Sequence, residues 1–193
     1  QTVESSNAKD LLFFTAQGTV YKAKASDFPD TKASVMGDYV AGKLGFEEGE
    51  TAFHMVVTAD YSGMLVFFFE NGKAAKVELS AYATKTNRRR LVGAYSDKSP
   101  VVAIVHITED TEFLLTSTSG RRLLMHTGAV SVKTTRNTQG VQVMTLKGSH
   151  RLERVELFEE GMVAKPNRYR TKTLPAAGAM PSAEDVGEQL TLT

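Results

Sequence analysis

The residue types in this 193-residue chain best suited to chemistry are cations at recurring positions. Arg88, Arg89 and Arg90 precede a strand-like run. Arg121 and Arg122 follow a turn glycine at Gly120, and Lys73 and Lys76 follow another at Gly72. Lys133 and Arg136 occupy the same part of their repeat as Arg88–Arg90 do in theirs. Lys22 and Lys24 alternate along the run after Gly18, so period-two geometry points them to one face. Such a repeat would set its cations along one rim. Each phosphate met there releases condensed counterions and adds affinity without reading base sequence. The bland alternative is a solvated strand edge that uses Lys and Arg against association.

Other chemistry finds little to work with. His54, His106, His126 and His150 are scattered, and none has the i,i+2 or i,i+4 pairing of a metal site. Phe46-Glu47-Glu48-Gly49-Glu50 offers three carboxylates, but Gly49 marks a turn and no partner is nearby, so a loop is expected rather than an acid/base pair or a calcium site. No glycine-rich phosphate loop and no Ser-His-Asp set presents itself. Phe13, Phe14, Phe67, Phe68 and Phe69 could stack on bases, yet within strand runs they read as core. The fragment is therefore expected to be non-catalytic, with no cofactor and no metal.

Net charge is only +1, but it is unevenly distributed. Residues 1–63 carry 5 Lys/Arg and 9 Asp/Glu, residues 64–157 carry 14 and 8, and residues 158–193 carry 4 and 5. A basic middle, net +6, is the feature that a polyanion would meet. Hydrophobic content of 41% and the absence of cysteine fit an ordinary globular protein in the cytosol, and no apolar run approaches a membrane span. No leader is visible, and Gln1 in place of Met reads as the start of a piece excised from a longer chain.

Three similar strings position these cations. LLFFTAQGTVYKAKASDF, MLVFFFENGKAAKVELSAY and FLLTSTSGRRLLMHTGAVSV each run through a turn glycine, Gly18, Gly72 and Gly120, spaced 54 and 48 residues apart. Asn71-Gly72 is a strong hairpin signal. A third strand is expected around Gly37–Leu44, Leu91–Tyr95 and Gly140–Leu146. A fourth is expected at Ala52–Thr58, Val101–Ile107 and Leu152–Phe158. Four short strands per 45–54 residues predict an all-β, propeller-like array with repeats at about 8–58, 59–107 and 108–158; a β-sandwich is the alternative fold. In the first hairpin, LLFFT should enter the core while Val20, Lys22 and Lys24 line an exposed side. Residues 1–165 are expected to form the array and 166–193 an extended tail, with a capping-box-like Ser182-Ala-Glu-Asp string and a short strand at Gln189–Leu192.

The stretch Leu11 to Pro29, with FEEGE and GKAAKVEL beyond it, resembles the C-terminal domain of the A subunit of bacterial type IIA topoisomerases, DNA gyrase and topoisomerase IV. The resemblance covers about residues 8–158 and is strongest in the first repeat. It implies a β-pinwheel, a disc of hairpin-invaded blades whose basic rim binds and bends duplex DNA. It further implies partners in the same subunit's N-terminal catalytic core and in the ATPase B subunit, an ATP-dependent isomerase as the parent enzyme, and a cytoplasmic, nucleoid-associated location. The strand-cleaving tyrosine of the family belongs to another part of the parent protein, so none of the six tyrosines here inherits that role. Family discs usually have five or six blades against about three copies here. The gyrase box Q-R-R-G-G-K-G is absent, which leaves gyrase and topoisomerase IV both open. A propeller-like protein-interaction platform with no nucleic-acid role is the competing function.

Overall fold

The turn glycines set the plan. Gly18, Gly72 and Gly120 adopt φ of 84°, 79° and 81°, a region that glycine enters without a Cβ penalty. Each closes an antiparallel hairpin: β1 (Asp10–Thr15) with β2 (Val20–Lys24), β4 (Met64–Phe69) with β5 (Lys73–Glu78), and β8 (Glu112–Ser117) with β9 (Arg122–His126). The computed structural model describes residues 8–28, 40–84 and 88–187. In each repeat a longer strand returns to pair with the first on the side away from the second: β3 (Ala52–Thr58), β7 (Val101–Ile107) and β12 (Leu152–Leu157). These are the fourth strands expected from the sequence, nearly to the residue.

The expected third strands behave differently. They shrink to two-residue pieces and leave their own repeat. β6 (Arg90–Leu91) pairs with β2 of the preceding blade. β10 (Val132–Lys133) and β11 (Val141–Gln142) pair with β5, the first parallel and the second antiparallel. The invader also locks the turn it reaches: Ala94 N–H donates to Gly18 O at 2.8 Å, and Val143 N–H donates to Gly72 O at 2.9 Å. Among the described residues no earlier blade offers an edge to the first candidate. Its described part, Val40–Leu44, is a short helix, α1, rather than a strand; residues 37–39 lie outside the described residues. Val40 and Leu44 instead cover Phe13 and Tyr21 on the free face of blade one.

Two-sided burial explains the apolar runs. Leu65, Phe67 and Phe69 of β4 pack with Leu12, Phe14 and Val20 of blade one, while Val66 and Phe68 pack with Phe113, Leu115 and Leu123 of blade three. Strands covered on both faces read as continuous hydrophobic stretches rather than as alternations. The same fact corrects the reading of the first hairpin. Val20, Tyr21 and Ala23 are all buried and Lys22 is half-buried, so β2 has no open side and only Lys24 is exposed.

Residues 166–187 pack on blade three. Arg170 bridges Leu124 in parallel and Ala179 bridges Arg122 in antiparallel fashion. Val132 and Val141 meet Lys76 and Ala74 in the same two senses on blade two, also nine residues apart. Gly178 repeats the role of Gly140: both have φ of +74°, and a Cβ would lie 2.3 Å from Arg122 O at one and 2.2 Å from Ala74 O at the other. The expected strand at Gln189–Leu192 lies outside the described residues.

A buried carboxylate anchors this segment. Asp185 accepts hydrogen bonds from the Tyr169 hydroxyl, from Ala164 N–H at 2.7 Å and from Ser182 Oγ at 2.8 Å. Ser182 caps α2 (Ala183–Gly187) by accepting from Asp185 N–H at 3.3 Å. Burial pushes the Asp185 pKa up, but these bonds outweigh it and bring the carboxyl down from 3.8 to about 2. A depressed carboxyl stabilises the native contact above its ordinary pKa, and that contribution fades as pH falls toward about 2. The protection factor of the Leu124 amide, which donates to Tyr169 O, should therefore drop across that range. Asp185→Asn should show the drop already at neutral pH. A wild-type protection factor that stays level through the acid range would detach Asp185 from the anchor.

Candidate nucleic-acid interface

Strand exchange decides where the cations lie. β7 and β12, on the edge away from the invaders, contact each other, so the sheets converge there and the invading segments run along the opposite, outer edge. β6 carries Arg90 directly, with Arg88 and Arg89 just before it; Arg89 O accepts from Lys22 N–H at 2.6 Å. Arg88 and Arg89 are exposed, and no described residue pairs with their side chains. Arg90 is more committed. It meets Glu47 at 2.7 Å, its Nε donates to the Tyr21 hydroxyl at 3.1 Å, and its guanidinium carbon lies 6.0 Å from the Tyr21 ring centre.

The Phe46–Glu50 loop is the surround of this site, and two of its three carboxylates, Glu47 and Glu50, do have partners, contrary to the expectation from sequence. Phe46 stacks on Tyr21 with ring centres 4.5 Å apart, Glu47 holds Arg90, and Glu50 accepts from the Tyr21 hydroxyl. Burial raises the Glu50 pKa, but bonds from Tyr21 and the Glu47 backbone outweigh it, so the carboxyl lies below its usual range and stays charged. None of these contacts could be read from spacing, because Tyr21 and Arg90 are 69 positions apart.

Lys22 and Lys24 of repeat one and Arg88 and Arg89 of repeat two line one cleft of about 320 Å3, together with Asp10 and Asp27. Lys24 pairs with Asp10. Lys22 is turned inward, donating to Tyr82 O and Thr84 Oγ1 at 3.0 Å each. Burial lowers its pKa, with Asp10 opposing that shift and Lys24 adding to it.

The other predicted cations divide. Lys133 is exposed on β10, Lys73 is half-buried, and Arg121 is exposed while donating to Gly178 O at 3.0 Å. Arg136 is drawn in, donating to Ala81 O at 3.0 Å. Lys76 is 5% exposed and held by Asp110 at 2.9 Å and Thr127 O at 3.0 Å. Arg122 is 7% exposed. Strand β5, like β2, is covered on both faces, so alternation there does not deliver cations to solvent. Sequence reasoning missed the cations of the last invading segment, Arg170 and Lys172, both exposed. The signal available for them was the repeated nine-residue spacing ending after a glycine. Arg170 is spent on Glu112, which it meets through Nε and Nη2 at 2.8 Å each.

Among the described residues no group of three His, Cys, Asp or Glu is placed to hold a metal, and no helix is long and apolar enough to cross a membrane. His106 and His126 are engaged locally: His106 Nε2 contacts Ser62 O at 2.9 Å, and His126 Nδ1 accepts from Gly128 N–H at 3.1 Å.

The DNA gyrase A subunit of Mycobacterium tuberculosis (strain CDC 1551 / Oshkosh) is 28% identical over 169 residues, 84% of this chain and 20% of that protein. The DNA gyrase A subunit of Streptomyces coelicolor is 38% identical over 74 residues, 37% of this chain and 9% of that protein. The chain thus spans about a fifth or less of the length of these curated relatives. The crystal structure of the C-terminal domain of DNA topoisomerase IV superposes with a TM-score of 0.70 at 24% identity, over 80% of this chain and 48% of that one. The E. coli ParC C-terminal domain superposes with a TM-score of 0.72 at 14% identity, over 94% and 80%. At these identities the superpositions speak for the fold, a mostly-β pinwheel. The model of the DNA gyrase C-terminal domain, beta-propeller, matches residues 9–58 and 111–158, which are blades one and three. With just over half of its residues matched and its strand-exchanged blades superposing on such domains, the chain belongs to the DNA gyrase C-terminal, beta-propeller family.

Proposed function

We propose that this chain is a non-catalytic module that binds and bends duplex DNA as part of the A subunit of a type IIA topoisomerase, acting beside that subunit's catalytic core and its ATPase partner. One observation carries the reading. Invading segments bring Arg88–Arg90 against β2 of blade one and Lys133 against β5 of blade two, both along the outer edge. DNA following that edge would meet exposed cations on successive blades, and the contacts along the arc offset a bending cost of order 1–10 kcal/mol. Such contacts go to phosphates, so recognition is by charge and shape.

Fluorescence anisotropy with two or more unrelated duplexes tests this. Affinities should agree within a few-fold between sequences. The slope of log K against log salt should be steep, about −3 to −5 for three to five phosphate contacts. Absence of binding at low salt, or binding indifferent to salt, would leave the protein-interaction platform as the better reading.

A further inference from the structure

Blade three carries a polar row where the other blades carry apolar ones. Across the sheet, Thr116 of β8 faces Arg122 of β9 on one side and Arg154 of β12 on the other. Directly opposed residues share a face, so these three side chains point the same way. The corresponding pairs are Phe14 with Val20 in blade one and Phe68 with Ala74 in blade two. Those pairs are covered by the following blade. In blade three the row instead lines a cleft of about 380 Å3, closed on other sides by Gly120, Glu153 and Pro181.

An end face turned to solvent would account for polar residues, but not for their burial. Arg122 and Thr116 are each 7% exposed, and both the Arg122 Nε and the Thr116 Oγ1 are buried without a hydrogen-bond partner. No described carboxylate pairs with Arg122. Arg154 keeps its Nε on Glu156 at 3.1 Å and is about half exposed. A buried guanidinium without a counter-charge is costly, and so is a buried hydroxyl without a partner. An anion that accepts from the two atoms together offsets both costs.

We propose that Arg122, Thr116 and Arg154 form an oxyanion site that takes a phosphate group. Arg122 Nε–H and the Thr116 hydroxyl donate to two of its oxygens, and the Arg154 guanidinium supplies charge from the open side. Planar guanidinium donors suit a tetrahedral phosphate. The group is a free phosphate ester or a single backbone phosphate of DNA, and the site stands whether or not the basic edge binds a duplex.

Thermal unfolding of the full chain in inorganic phosphate, against chloride of equal ionic strength, tests the site. At about ten times the dissociation constant, Tm should rise by roughly 3–6 °C over chloride. Arg122→Met should abolish the rise. Thr116→Val, which keeps the side-chain shape, should weaken phosphate binding roughly tenfold and serves if the first variant folds poorly. No rise over chloride in the wild type, or an undiminished rise in these variants, overturns the proposal. A duplex arm separates the two sources. If inorganic phosphate at fixed ionic strength weakens duplex binding in the wild type but not in Arg122→Met, the native group is a DNA phosphate. If duplex binding is indifferent while the Tm rise persists, it is a free phosphate ester.

Discussion

Gly140→Val is expected to unfold the array at a much lower urea concentration than the wild type, whereas Gly178→Val, with the same local clash, is expected to leave most of the fold standing. Both glycines hold φ of +74°, and at both an added Cβ runs into a strand carbonyl, Ala74 O at 2.2 Å or Arg122 O at 2.3 Å. Left-handed backbone alone costs an L residue about 1–2 kcal/mol. Since the obstacle is backbone, no rotamer change relieves it, and the invading segment must lift away. At Gly140 that removes the pairing of Val141 with Ala74 and the donations of Val143 and Met144 N–H to Gly72 O. It also exposes Val143 and Met144, both fully buried against the cluster of Phe68 and Phe113. Two such side chains are worth about 1.5–3 kcal/mol each. The total rivals a domain's whole stability of about 5–15 kcal/mol. Gly178 lies in the last invading segment, which can detach by itself; the global loss should then be about 1–3 kcal/mol, the range of an ordinary destabilising change. Urea melts give the first comparison. Hydrogen exchange gives the second, because the Arg122 and Leu124 amides, bonded to Ala179 O and Tyr169 O, should lose protection in Gly178→Val while β4 keeps it. Equal urea midpoints for the two variants would show that the last segment is as integral to the array as the middle one.

The contrast between these glycines also shows what the sequence could and could not disclose. Gly18, Gly72 and Gly120 were legible because a turn glycine between two apolar runs is a local signal. The returning strands Ala52–Thr58 and Val101–Ile107 were legible for the same reason. Gly140 and Gly178 carry an equally strict demand, but it comes from a carbonyl of another strand, 66 and 56 positions earlier in the chain. Strand exchange is a relation between repeats, and a two-residue piece such as Arg90–Leu91 has no periodicity of its own to betray its partner. The binding surface suffered from the same gap. Lys22 was placed on an exposed side by alternation, which holds only for a strand with one free side; between blades there is none, and Lys76, expected on the rim from its place after Gly72, is buried for the same reason. Arg88 and Arg89 escaped that error because they stand outside any paired core position, and their exposure follows from the loop that carries them.

Changing Arg88, Arg89 and Arg90 together to Ala should weaken duplex binding roughly 10- to 100-fold at low salt and flatten the slope of log K against log salt by about 2. The slope change is set by how many of the three are available. Arg88 and Arg89 are exposed and unpaired among the described residues, whereas Arg90 is held by Glu47 at 2.7 Å and by the Tyr21 hydroxyl at 3.1 Å. Arg90→Ala alone should therefore change the slope by less than about 1 and act chiefly on the Tyr21–Phe46 surround. Lys22→Ala with Lys24→Ala is the matched control from the same cleft. Lys22 is committed to Tyr82 O and Thr84 Oγ1 and Lys24 to Asp10, so this pair should alter the slope less than the arginines do, although all four cations of Lys22, Lys24, Arg88 and Arg89 border one cleft. Loss of affinity should be similar for unrelated duplexes, since phosphate contacts carry no base information, whereas base readout would concentrate the loss on particular sequences. Anisotropy titrations at several salt concentrations, with circular dichroism to verify the fold of each variant, supply all three readings. An unchanged slope in the triple variant, with the fold intact, would move the DNA path off the edge of blade one and onto the cations of the later blades.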